Sequence, residues 1–187
     1  MLALAGCGQE RQAAAEPEFE PHWPGHIAVS DEFGITADFP ADQPVCVSDS
    51  GTHIHGFHQS RDGDCAEGPG SRFLSVWADH NAMDWDGDRA VAEACGPNTE
   101  RLDLDLQPTA GGRLDACLLQ EGTDAGAGPY TVVAVYVPSS DADRLPDIIY
   151  TVRMGTTPEG EEADLRALQT FFAGLILAGS SFQPAAS

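Results

Sequence analysis

Two runs, YTVVAVYVP (130–138) and IIYTVRMG (148–155), stand on either side of the polar stretch SSDADRLPD (139–147), and their reading decides the fold. Both are dense in β-branched and aromatic side chains, which lose rotamer freedom in a helix and fit a pleated surface. Each is short and bounded by loop-forming residues, so the pair predicts two central strands.

Working outward, the period changes after Thr157-Pro158. In EEADLRALQTFFAGLIL (161–177), Leu165, Leu168, Phe172, Leu175 and Ile176 fall at helical spacing, with acidic residues in the first turn to complement the helix dipole. This predicts a helix that packs its apolar stripe on the sheet. On the N-terminal side, RLDLDL (101–106) alternates leucine with aspartate as a half-buried strand would. RLDACLLQ (113–120) follows the turn TAGG (109–112) and is expected to pair back on it as a hairpin. RFLSVWAD (72–79) reads as a further strand, and IAVSDEFGITADFP (27–40) as two short extended pieces around SDEFG. DRAVAEAC (88–95) reads as a helix capped by Asp88 and stopped by Gly96-Pro97. Six or more strands with hairpin-like links and two separated helices make an α+β domain on an antiparallel sheet.

Early FGITADFP (33–40), middle SRFLSVWAD (71–79) and final IIYTVRMGTTPEGEEADLRALQTFFAGL (148–175) together resemble the PsbP/Mog1-type sandwich. In that fold a last strand leads into a helix that closes the sheet. The resemblance implies a fold that hosts binding and accessory roles, and it carries over no catalytic residue.

The charge balance narrows the function. Thirty acidic residues face nine basic ones, a net charge of −21, and every basic residue is arginine. Without lysine there is no Schiff-base chemistry and no phosphate-loop lysine. The field repels nucleic acid and anionic head groups, so a nucleic-acid partner is not expected. A cationic protein partner suits it.

Leu4-Ala5-Gly6-Cys7 resembles the lipobox of bacterial lipoproteins. Small residues there fit a signal peptidase, and the cysteine thiol takes the lipid that anchors the mature chain. The basic region and most of the apolar stretch of about 7–15 residues that a signal peptide needs do not precede it; the start is expected to be truncated. Residues 1–6 then read as a signal-peptide remnant, and 7–26 as the lipidated, palmitate-bearing cysteine with a flexible acidic tether. Residues 27–180 read as one domain and 181–187 as a tail. The implied address is the cell envelope, facing the periplasm, with membrane contact through the lipid alone. Gly8, in place of an aspartate, points to the outer membrane.

Setting Cys7 aside leaves Cys46, Cys65, Cys95 and Cys117, an even number for an oxidising compartment. Four cysteines allow three pairings. The local one, 46 with 65 and 95 with 117, closes two short loops of similar length. A four-cysteine zinc site is the alternative, but no C-x-x-C pair supports it.

GTHIHGFHQSRDGDC (51–65) gathers His53, His55 and His58. On a strand His53 and His55 share a face and could chelate zinc or copper, with Asp62, Asp64 or His80 completing the set. His58 would face the other way unless Gly56 makes a bulge. HIHGFH is similar to the metal-binding strand of copper-zinc superoxide dismutase, yet the downstream ligands that enzyme needs are missing. The reading kept is a strand beside a disulfide, with at most weak zinc or copper binding and no required cofactor. DWDGD (84–88) spaces three aspartates like a calcium loop, but Arg89 and Cys95 stand where glycine and glutamate belong. No G-x-S-x-G, phosphate loop or H-E-x-x-H occurs, so no catalytic residue is assigned and an enzyme is not expected. The expected function is a lipid-anchored envelope binding protein, of inhibitor or immunity type, for a cationic partner. The alternative is a periplasmic metal-binding protein using His53, His55 and His58.

Overall fold

The computed structural model describes residues 26–40, 42–49, 54–60, 65, 72–97, 99–109, 111–119, 130–139, 147–156 and 160–185. Cys7, His53, Asp62 and Asp64 lie outside them, as does the tether up to residue 25; its last residue, His26, already belongs to a strand.

The two runs that open the sequence argument are neighbouring strands, β9 (Tyr130–Val137) and β10 (Ile148–Gly155), in the middle of a seven-stranded sheet. The remaining members are β3 (Cys46–Asp49), β4 (Ile54–Ser60), β5 (Arg72–His80), β6 (Glu100–Arg101) and β8 (Arg113–Leu119). Their order is β3-β4-β5-β10-β9-β8-β6, every pair antiparallel. Cross-strand partners share a face, so the register lines up one apolar row, Phe57, Val76, Val152, Val133 and Ala116, all buried. The next row, displaced by one residue, therefore faces the other way: His58, Ser75, Arg153, Val132 and Cys117.

The apolar face is covered by a second sheet and a helix. Strands β1 (His26–Ser30), β2 (Ile35–Phe39) and β11 (Ile176–Leu177) form the order β1-β2-β11. Strand β2 alternates, burying Ile35, Ala37 and Phe39. Helix α2 (Glu161–Ala173) adds Leu168, Phe171 and Phe172 to the same core. On the opposite face helix α1 (Gly87–Cys95) packs over β8 and β9, where Cys95, Cys117, Tyr130 and Val132 make a small second cluster. The molecule is thus α+β on an antiparallel sheet. No helix among the described residues is long and apolar enough to cross a membrane.

Three expectations need correction. The RLDLDL alternation is not a strand: residues 102–105 are irregular, and strand pairing survives only in β6 and in β7 (Leu106–Pro108). Asp105 turns to φ 52°, the left-handed region a strand cannot use, and its N–H is taken by the Asp103 carboxylate. Leu104 is still buried, so the hydrophobic signal is real while its period misleads. Helix α2 ends at Ala173, not Leu177: Gly174 caps it, Leu175 stays buried, and Ile176 is exposed on β11. The segment read as a tail contains β12 (Phe182–Pro184), which pairs with β7 and sets Phe182 edge-on to Phe172 at 4.8 Å.

Both local disulfides are present. Cys46–Cys65 and Cys95–Cys117 span Cα separations of 5.5 Å and 5.9 Å, inside the range a disulfide bridges.

Candidate functional site

The histidine run is strand β4, and its alternation separates the two described imidazoles. His55 shares a face with Phe57 and Gln59, while His58 lies on the opposite face with Gly56. The irregularity in β4 falls between Gln59 and Ser60 rather than at Gly56, so nothing turns His58 back toward His55. His55 stacks on Phe33 with ring centroids 5.3 Å apart and planes 9° from parallel, and it meets Phe57 edge-on at 5.8 Å. His80, at the end of β5, leans on the same phenyl ring at 5.4 Å. The Phe33 carbonyl accepts the Tyr150 hydroxyl at 2.6 Å, which fixes the β1–β2 turn against the sheet. His58 is buried. Among the described residues no three His, Cys, Asp or Glu side chains are gathered as a metal site. The geometry makes His55 and His80 part of an aromatic cluster, and it brings neither onto the face of His58.

A second region was not singled out as a site in the sequence. It is the stretch 81–88, NAMDWDGD, between β5 and α1. Asn81 is buried and acts as a backbone mimic: its Nδ2 donates to the Trp85 carbonyl at 2.7 Å, and its Oδ1 accepts the Trp85 N–H at 3.0 Å. Its own carbonyl takes the Asp84 N–H at 3.0 Å, and its N–H donates to the Asp147 carbonyl at 2.8 Å. Asp84 accommodates the tight turn with φ 51°. Aspartate tolerates that conformation better than most residues. Braced this way, the turn holds Met83 out in solvent at 67% exposure, the most exposed large apolar residue described. Trp85 is partly buried, with the Arg89 guanidinium 5.2 Å from its ring.

The same stretch caps α1, but through Asp86 rather than Asp88: the Asp86 carboxylate accepts the Arg89 N–H at 2.9 Å. Asp88 sits in the first turn and pairs with Arg113 at 2.8 Å. Gly87 lies against Tyr136, whose ring carbon would stand 2.7 Å from any added Cβ. Only glycine lets the helix start come this close.

Tyr136 collects the acidic groups around it. Its hydroxyl donates to Asp147, which also accepts the Ser139 N–H at 2.7 Å. Burial first, then the Asp147 hydrogen bond, then the charges of Asp147, Asp84 and Asp86, push the Tyr136 pKa up to about 12. Three carboxylates, those of Asp84, Asp86 and Asp147, therefore gather around Tyr136 beside the braced turn that carries Met83 and Trp85. Such an arrangement can grip a basic, partly apolar protein surface, since a fixed loop loses little entropy on docking.

Comparison with protein-family models, curated proteins and solved structures finds no match for the chain.

Proposed function

We propose that this chain is a lipid-anchored cell-envelope binding protein, of inhibitor or immunity type, that docks a cationic protein through the 81–88 turn. The observation that carries the reading is the braced turn itself: an exposed methionine and a tryptophan bordered by carboxylates, on a chain of net charge −21. Acidic fields speed encounter with basic surfaces, and a central apolar anchor supplies affinity once the surfaces meet. The lipobox Leu4-Ala5-Gly6-Cys7 would hold the domain at the periplasmic face of the outer membrane. The PsbP/Mog1-type sandwich is the proposed fold family, and its use for accessory binding roles agrees with this reading.

The test uses the chain with Cys7→Ser, immobilised and exposed to envelope extract. A basic protein should be retained at low salt, released as salt rises, and lost when Met83→Ala is combined with Asp84→Asn and Asp86→Asn. Retention indifferent to both salt and the triple substitution would overturn the proposal. Separately, Cys7 in a chain given a full signal peptide should incorporate labelled fatty acid, and Cys7→Ser should abolish the label.

A further inference from the structure

Of the nine arginines, five have described side chains: Arg89, Arg101, Arg113, Arg153 and Arg166. Four of these hold carboxylates, Arg89 with Glu93, Arg101 with Asp115, Arg113 with Asp88 and Arg166 with Glu162. All four are between 40% and 70% exposed, where water alone would solvate them well. Arg153 is the more buried one, and among the described residues it pairs with no carboxylate. This inverts the usual order, in which the charge farther from water is the one that is paired. Arginine cannot escape by losing its proton.

The surroundings of Arg153 are those of a built clamp. Its Cζ lies 5.0 Å from the Trp77 ring centroid and 5.4 Å from that of Tyr130, so aromatic rings engage the guanidinium. Its Nε is sealed from solvent without an acceptor. Rings interact with the faces of a guanidinium, while its N–H groups lie in the plane and need acceptors of their own. Trp77 is itself positioned by its cross-strand partner Gly56, since a Cβ there would strike the indole and the Val76 carbonyl. Ser75, the cross-strand partner of Arg153, is buried beside it. Packing thus fixes the cation while its buried Nε has no acceptor.

We propose that Arg153, flanked by Trp77, Tyr130 and Ser75, is a binding site for a carboxylate-bearing organic ligand with an apolar or aromatic body. A planar carboxylate matches the fork of a guanidinium. The rings would cover the ligand's body. The chain's −21 charge selects for a single negative charge, because a phosphate dianion meets about twice the repulsion. The site lies on the sheet face opposite the main core and is independent of the proposed docking of a cationic protein.

The full chain is titrated with benzoate, acetate and inorganic phosphate by calorimetry, and the Arg153 Hε resonance is followed by NMR. Benzoate should bind, more tightly than acetate and phosphate, and shift the Hε signal. Arg153→Gln should weaken benzoate binding at least tenfold, and Arg153→Lys, which keeps the charge and loses the fork, should weaken it several-fold. Benzoate that leaves the wild-type Hε signal unmoved would overturn the site, and this reading needs no variant to fold. Benzoate binding retained in Arg153→Gln, or phosphate binding more tightly than benzoate, would overturn it too.

Discussion

At the residue scale, Asn81 organises the proposed interface without taking part in it. The side chain is buried, and both its amide atoms are engaged with the backbone of Trp85, four residues along. Truncation would leave the Trp85 N–H and carbonyl to find other partners in a partly buried turn. Asn81→Ala should therefore lower stability by about 2 kcal/mol, from two lost hydrogen bonds and the groups they leave behind. Urea denaturation reads this directly; a change below about 0.5 kcal/mol would mean the turn does not depend on its brace. Tyr136 gives a second prediction at this scale, in pH. The folded chain holds the Tyr136 proton more tightly than the unfolded chain, because its pKa rises from 10.0 to about 12. The stability so contributed is complete below about pH 10 and is lost as pH rises through about 12. Tyr150, buried and bonded to the Phe33 carbonyl, is pushed in the same direction, so the alkaline loss has two sources. Denaturation midpoints for wild type should fall across that window, and Tyr136→Phe should fall less steeply. Equal slopes would remove Tyr136 from the account.

At the element scale, the two disulfides do different jobs, although each closes a loop of similar length, with sequence separations of 19 and 22. Chain entropy alone assigns each about 3 kcal/mol. Cys95 and Cys117 are also buried with Tyr130 and Val132 under α1, whereas Cys65 is exposed. Replacing Cys95 and Cys117 together by alanine should consequently cost more than replacing Cys46 and Cys65, since packing between helix and sheet is lost as well. Midpoints in urea under oxidising conditions compare the two; equal losses would show that loop closure is the whole effect. The elements also show what the sequence made legible. Strands β9 and β10 are readable because their β-branched and aromatic runs suit a sheet whatever surrounds them. The ends of elements were not. Gly174 and the exposure of Ile176 cut α2 short, and the apolar spacing continued past that point because Leu175 and Leu177 remain in the core from a different backbone. Strands β11 and β12 were invisible, being two and three residues long and defined by their partners. The histidine strand was legible as a strand, and the split of His55 from His58 followed from its period. In the 81–88 turn the sequence offers a calcium-like aspartate spacing and a helix cap, whereas an asparagine bracing a loop looks like any other turn residue. Arg153 was hidden inside a strand, where only cross-strand register brings Trp77 and Tyr130 to it.

At the scale of the whole molecule, the net charge of −21 acts on two processes with opposite sign. Within one chain, like charges repel, and compaction brings them closer than the unfolded chain does; salt screens this and should stabilise the fold. Between the chain and a basic partner, the same charges attract, and salt should weaken that association, chiefly by slowing encounter. The two responses are measurable on one preparation. Raising sodium chloride from about 10 mM to about 500 mM shortens the screening length from roughly 30 Å to a few ångströms. Over that range the melting temperature should climb while the captured partner is released. Local ion pairs would push the other way on stability, but three of the four described are exposed on both sides, and such pairs contribute little. A melting temperature that falls with salt would mean that favourable pairing outweighs repulsion. The acidic surface would then serve the fold, and the argument from charge to a cationic partner would lose its premise. A rising melting temperature with undiminished capture would separate the two in another way: the partner would be held by Met83 and Trp85, with the carboxylates as bystanders. Only the opposed pair of trends fits a surface whose repulsion is tolerated in the free protein and relieved by the protein it binds.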